Sequence, residues 1–210
     1  AAKERLEKLG FTVSFSEHYL ENDMLGSASI ESRVADIHAA FSDDSVDAIL
    51  ATIGGFNCNE LLPYLDFELI ARNPKIFCGY SDTTALLSAI YSKTGMKTYM
   101  GPSYSSFKMD ALQDYQTESW LKAVSQTSYE LTPSEKWGDN AWYLPDAPLT
   151  FHETEWKVYH HGQAQATAIG GNLSTFSLLR GTPYAPTDEN YVLFVEEAEE
   201  DDYVEFDRNL

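Results

Sequence analysis

The chain has 210 residues, 43% of them hydrophobic and 13% aromatic, and its 33 acidic against 14 basic residues give a formal charge of -19. A chain of that length and composition can bury its own core without disulfides or metals, and it is not a disordered segment. The acidity speaks against nucleic acid and anionic membrane surfaces, both of which are held largely through Lys and Arg, and it reads most simply as solubility.

No run approaches the roughly 20 apolar residues of a membrane helix. The charged opening "AAKERLEKLG" does not read as a signal peptide. Cys58 and Cys78 stand 20 residues apart with no CxxC spacing, which suggests neither a metal knuckle nor a disulfide framework. Two free thiols fit a cytoplasmic setting.

"AAKERLEKLGFTVSF" is expected to be the back half of a helix stopped at Gly10, followed by a strand over Phe11–Phe15. "ESRVADIHAAFSD" places Val34, Ile37 and Phe41 on one helical face. "VDAILATIGG" (Val46–Gly55) is a continuous apolar run ending in glycines, the mark of a strand buried on both faces. "NELLPYL" predicts a short helix with a kink or break at its proline. "KIFCGYSD" is a second buried strand entering a turn, "TTALLSAIYSKTG" an amphipathic helix stopped by Gly95, and "MKTYMGP" a third short strand. "TESWLKAVSQ" reads as a further helix opened by Thr or Ser.

Strands alternating with helices predict an α/β fold with a doubly wound parallel sheet over residues 1–130, its active crevice beyond the carboxyl ends of the strands. Residues 131–163, rich in Pro, Trp and Asp, predict a connector or extended hairpin. Residues 164–210 predict the start of a second, mixed α/β unit: strand, glycine turn and helix in "QATAIGGNLSTFSLLRGTPY", then strand, acidic turn and helix start in "NYVLFVEEAEEDDYVEFDRNL". The abrupt ends suggest a trimmed piece, with a first strand expected upstream.

Two strand ends draw attention: Gly54–Gly55 and Gly79–Ser81. A serine on a strand-to-helix turn stands clear of the sheet, beside helix N–H groups that can receive negative charge. The Asp82 N–H would be one oxyanion donor and Gly55 a second, because glycine lets the backbone approach a substrate. Against this, serine is a favoured helix N-cap, a role open to Asp82 and Thr83 as well, and "GYSDT" lacks the second glycine of the GxSxG elbow. None of His18, His38, His152, His160 and His161 falls in a turn at a strand end. Glu196, directly after the apolar strand "YVLFV", is placed to orient an imidazole, whereas Glu197, Glu199 and Glu200 read as a solvated acidic loop.

Taken in order, "ATIGGFNCNELLPYLD", "PKIFCGYSDTTALLSAIY", "GGNLSTFSLLRGTPYAP" and "VLFVEEAEEDDYVEFDRNL" resemble the LD-carboxypeptidase family of serine peptidases, and "KWGDNAWYLPD" is similar to the microcin C self-immunity branch. The resemblance runs from about Leu6 to Leu210. It implies a Ser–Glu–His triad with Ser81 as nucleophile and Glu196 as the acid. It also implies oxyanion donors from Gly55 and Asp82, Gly54 in the substrate-facing pair, and Trp142 or Trp137 stacking on a nucleobase. The family's histidine comes some tens of residues after the glutamate, so these residues alone are expected to be inactive. No metal or organic cofactor is implied. The implied partner is a small peptide or peptidyl-nucleotide; a homodimer is left open. A non-catalytic small-molecule-binding domain using the same crevice is the rival, and a dinucleotide-dependent oxidoreductase is disfavoured because no GxGxxG opens a βαβ unit.

Overall fold

A computed structural model describes residues 1–138, 148–198 and 203–210. Helix α1 (Ala2–Lys8) leads through an irregular stretch to α2 (Ile30–Ser42), whose Ser29 cap accepts the Ser32 N–H. Strand β1 (Ala48–Leu50) is followed by a 3-10 helix, Cys58–Tyr64, with Pro63 inside it, and by α3 (Phe67–Arg72). Strand β2 (Ile76–Gly79), a 3-10 turn over Ser81–Thr83 and α4 (Thr84–Thr94) come next, and α4 ends at Gly95 in the left-handed conformation. Strand β3 (Tyr99–Met100), a 3-10 turn over Tyr104–Lys108 and α5 (Gln113–Ser125) complete this part.

The three strands form a parallel sheet in the order β1-β2-β3, with Leu50 opposite Cys78 and Cys78 opposite Tyr99. Successive side chains of β2 point to opposite faces. Phe77 enters one apolar cluster with Phe41, Ile70 and Ile90 from α2, α3 and α4. Cys78 enters the other with Ala2 and Leu6 of α1, Phe107, and Trp120 of α5. Helices therefore cover both faces of the sheet, the doubly wound arrangement that the alternating sequence pattern predicts.

Downstream, β4 (Lys136–Trp137) pairs antiparallel with β5 (His152–Glu153), a hairpin within the segment expected to be a connector. Strand β6 (Thr167–Asn172), helix α6 (Leu173–Ser177), strand β7 (Tyr191–Glu196) and helix α7 (Tyr203–Asn209) follow, with β6 and β7 parallel in register from Thr167–Tyr191 to Asn172–Glu196.

Several local expectations are corrected. Phe11–Phe15 forms no strand: Phe11 packs its ring on Trp120 and Phe15 stacks on Tyr19, so aromatic contacts take the place of a ladder. Of the Val46–Gly55 run only Ala48–Leu50 is strand, because the chain leaves the sheet before the glycines. Helix α5 begins at Gln113, before Thr117, behind a left-handed Leu112 instead of a Thr or Ser cap. Gly170 and Gly171 lie within β6, not in a turn. They carry positive φ values of 126° and 136°. A Cβ on Gly170 would fall 1.9 Å from the Phe194 carbonyl oxygen, so only glycine lets the two strands close there.

Candidate active site

The carboxyl ends of β1, β2 and β3 converge where the chain turns out of the sheet. Ala51 N–H donates to Cys78 O and Gly101 N–H to Gly79 O, extending the ladders past the strand ends. The segment after β3 crosses to β1, with Tyr104 N–H on Ala51 O at 2.8 Å and Ser105 N–H on Thr52 O at 3.0 Å. Ser81 stands in the middle of this edge.

Ser81 has φ 56°, one of two non-glycine residues with positive φ among those described. A side chain in that region costs on the order of 1–3 kcal/mol and persists only where its surroundings hold it. The strain belongs to the turn itself: Tyr80 is fully extended, and the next residue must start a helical turn. Among the described residues no serine side chain caps either the 3-10 turn or α4, so Ser81 is not spent on capping. It is partly exposed, whereas Asp82, Thr83 and Thr84 behind it are buried.

The glycine pair expected to face the substrate comes directly to this turn. A Cβ on Gly54 would lie 2.9 Å from Ser81 Cβ, 3.0 Å from Ser81 Oγ and 4.0 Å from the Asp82 nitrogen. A Cβ on Gly55 would lie 3.3 Å from Asp82 Oδ2. Glycine at 54 thus removes the atom that would crowd the hydroxyl, leaving backbone beside it. The structure therefore brings Ser81, Asp82, Gly54 and Gly55 together. Ser81 lies on a strand-to-helix turn without the GxSxG spacing, and Gly54, in the loop that follows β1, leaves room beside its hydroxyl.

Glu196 closes β7 opposite Asn172, with its side chain exposed. The connection from this strand end to the serine helix runs through residues the sequence pattern did not single out. Asn172 N–H donates to Thr84 Oγ1 at 2.9 Å, and a Cβ on Gly171 would reach within 2.5 Å of the same oxygen. Asn172 Oδ1 accepts the Thr175 N–H, and Asn172 Nδ2 donates to Glu197 Oε1 at 2.8 Å. Glu197 Oε2 also accepts from the Ser174 N–H and hydroxyl, at 3.1 and 2.8 Å. Glu197 is therefore no solvated loop acid: its carboxylate ties the end of β7 to the start of α6. An Asn just before an apolar run with Thr three places on was the available signal for the cap; nothing local announced Glu197.

Trp137 is half exposed on β4, its ring 4.9 Å from that of His152. Trp142 lies outside the described residues. His18 is hydrogen-bonded to Asp36, Nδ1 to Oδ1 at 2.7 Å, and His38 Nε2 accepts the Asp66 N–H. Neither cysteine competes as a nucleophile: burial pushes the Cys58 thiol strongly up, with Asp82 adding to it, and burial pushes the Cys78 thiol up to about 12. Among the described residues no group of three or more His, Cys, Asp or Glu gathers as a metal site, and no helix is long and apolar enough to cross a membrane.

A strained serine at the end of a buried parallel strand, with glycine backbone against its hydroxyl, is how α/β proteins present a nucleophile. Comparison with known proteins narrows that class. The profile of the LD-carboxypeptidase N-terminal domain matches residues 1–101, and that of the LD-carboxypeptidase C-terminal domain matches residues 165–210. The chain belongs to the LD-carboxypeptidase family of serine peptidases. A Bacillus subtilis (strain 168) protein named as a carboxypeptidase, YocD, is 48% identical over 211 residues, covering 100% of this chain and 65% of that protein. The crystal structure of an MccF-like protein from Bacillus anthracis str. Ames aligns with a TM-score of 0.90 at 49% identity, over 93% of this chain and 60% of that one. The microcin C7 self-immunity protein MccF of Escherichia coli is 34% identical, over 93% of this chain and 60% of its own length. A structure of MccF in complex with aspartyl sulfamoyl adenosine aligns at TM-score 0.86, over 92% of this chain and 61% of that one. The chain thus spans about three-fifths of the length of these relatives.

Proposed function

We propose that the whole protein is a serine peptidase or amidohydrolase of the LD-carboxypeptidase type that works through an acyl-enzyme. The observation that carries this is Ser81 at φ 56° with Gly54 held against its hydroxyl. Ser81 attacks the scissile amide carbonyl, and an imidazole takes its proton. The backbone N–H groups of Gly55 and Asp82 receive the oxyanion, each worth roughly 3–4 kcal/mol in such sites. Glu196 orients the imidazole and stabilises its charged form. Water then releases the acyl group.

The imidazole comes, on the family resemblance, from the part of the relatives' length that these 210 residues do not span. The residues by themselves are accordingly expected to be inactive, and turnover by them that depends on Ser81 would overturn that point. For substrate we favour a bond between a peptidyl or aminoacyl group and a nucleotide-like moiety over a cell-wall peptide amide beside a free carboxylate. The support is the aspartyl sulfamoyl adenosine carried by MccF, together with the half-exposed Trp137, an aromatic ring of the kind that stacks on a nucleobase. A fluorophosphonate probe applied to the whole protein tests the nucleophile. A Ser81 adduct, lost in Ser81→Ala and slowed in Glu196→Gln, is the expected result. No adduct at Ser81 points instead to a non-catalytic binding domain.

A further inference from the structure

Between Ile53 and Cys58 the chain carries the two glycines of the crevice, yet apolar packing does not hold it: Ile53 is 57% exposed and Phe56 97%. Polar ties do. On the outer side Arg33 Nη1 donates to the carbonyl and side-chain oxygens of Asn57, at 3.2 and 3.0 Å, and Ser27 Oγ donates to Asn57 Oδ1 at 3.1 Å. On the inner side the tie comes from the serine turn itself. Asp82 is only 3% exposed, and its Oδ2 accepts the Cys58 N–H at 2.8 Å while sitting where it would crowd a Cβ on Gly55. A carboxylate is not buried without a partner to repay its lost hydration. Here that partner is the backbone just past the glycine loop.

We propose that Asp82 is a positioning residue: its carboxylate clamps the Gly54–Cys58 loop, fixing the Gly55 N–H relative to Ser81 and to the Asp82 N–H. One residue then sets both halves of the oxyanion site, giving one N–H from its backbone and aligning the other through its side chain. This rests on Ser81 being the nucleophile. Oxyanion stabilisation is sensitive to displacement of a donor by a few tenths of an ångström, because the donors act only where the charge develops. The clamp should therefore affect the chemical step far more than substrate binding.

The test uses the whole protein in three forms, wild type, Asp82→Ala and Asp82→Asn. The readouts are the rate of fluorophosphonate labelling at Ser81, kcat and KM on an aminoacyl sulfamoyl adenosine, and the thermal midpoint. Asparagine keeps an oxygen that can accept the Cys58 N–H; alanine does not. Folded Asp82→Ala is expected to label, and to turn over, about a hundredfold more slowly, with KM changed by less than about threefold, as for loss of one oxyanion donor. Asp82→Asn is expected to fall between the two, within about tenfold of wild type. Folded Asp82→Ala labelling at the wild-type rate overturns the clamp. Should Asp82→Ala not fold, Asp82→Asn decides alone: labelling within that tenfold supports the clamp, and a loss as deep as that of Ser81→Ala overturns it. Wild type that forms no adduct at Ser81 refutes the nucleophile itself, an outcome separate from either.

Discussion

Strand β2 enters Ser81 with its last three residues buried, while β7 enters Glu196 with four of its six residues exposed, Phe194 at 61% among them. The serine end is fixed by packing on both faces of its sheet. The glutamate end is fixed by a short relay of hydrogen bonds, Thr84 to Asn172 to Glu197. Packing is cooperative and tolerates no slack, so it can hold a strained backbone such as Ser81. A polar relay is directional and sets which way one strand end faces, at about 0.5–1.5 kcal/mol per bond. The same crevice is thus built by two kinds of force, and each can be tested separately.

The deepest break is chemical. Ser81→Ala in the whole protein should lower amide turnover on the order of 10⁴-fold or more, with the far-ultraviolet circular dichroism unchanged; measurable kcat/KM within tenfold of wild type would remove the serine from the mechanism. Next come two backbone and core changes of similar size and different origin. Ile90→Ala opens a cavity in the cluster that supports the serine helix and should cost about 2–5 kcal/mol. Gly170→Ala drives a Cβ into the Phe194 carbonyl at φ 126° and should cost about 3 kcal/mol or more through loss of the β6–β7 ladder. Urea midpoints read both, and a tolerated Gly170→Ala would mean that β6 and β7 do not pair as described.

A smaller effect separates the relay from the core. Glu197→Ala removes the acceptor of three hydrogen bonds and should cost about 1–2 kcal/mol. If it is instead neutral, the acidic loop is solvated as the sequence suggested. Trp137→Ala, on an exposed two-residue strand, should change stability by about 0.5 kcal/mol or less while weakening the binding of a nucleotide-bearing substrate. The smallest is a pH effect at the tie between His18 and α2. The Asp36 carboxylate, hydrogen-bonded to His18, raises that imidazole above its ordinary 6.5. The tie therefore stabilises the fold below the ordinary histidine range and is lost as pH rises through the raised value. An NMR titration should place His18 above 6.5, returning towards it in Asp36→Asn.

Much of this was legible from residues alone where the signal was local. The apolar run "KIFCG", the Gly95 stop and the spacing of Val34, Ile37 and Phe41 each dictate their element without outside help, because period and cap chemistry act within a few residues. Phe11–Phe15 departs from the expected strand for the opposite reason. Its aromatic residues have β character, but a strand needs a neighbour, and Trp120 and Tyr19 captured the rings first. Glu197 carries no local signal because its partners, Asn172 and Ser174, lie more than 20 residues upstream, beyond the reach of any local pattern.

By itself the sequence determined the alternation of strands and helices, the burial of the sheet on both faces, and the family to which Ser81 and its flanking motifs point. Those follow from hydrophobic period and from short motifs, which are properties of neighbouring residues. Only the tertiary structure decided that Ser81 is left-handed rather than a cap, that Gly54 makes room for its hydroxyl, and that Asp82 reaches Cys58 and Asn172 reaches Thr84. Such contacts join residues about 25 to 90 positions apart, and no local energy term selects them until the core has closed and brought the strand ends into line.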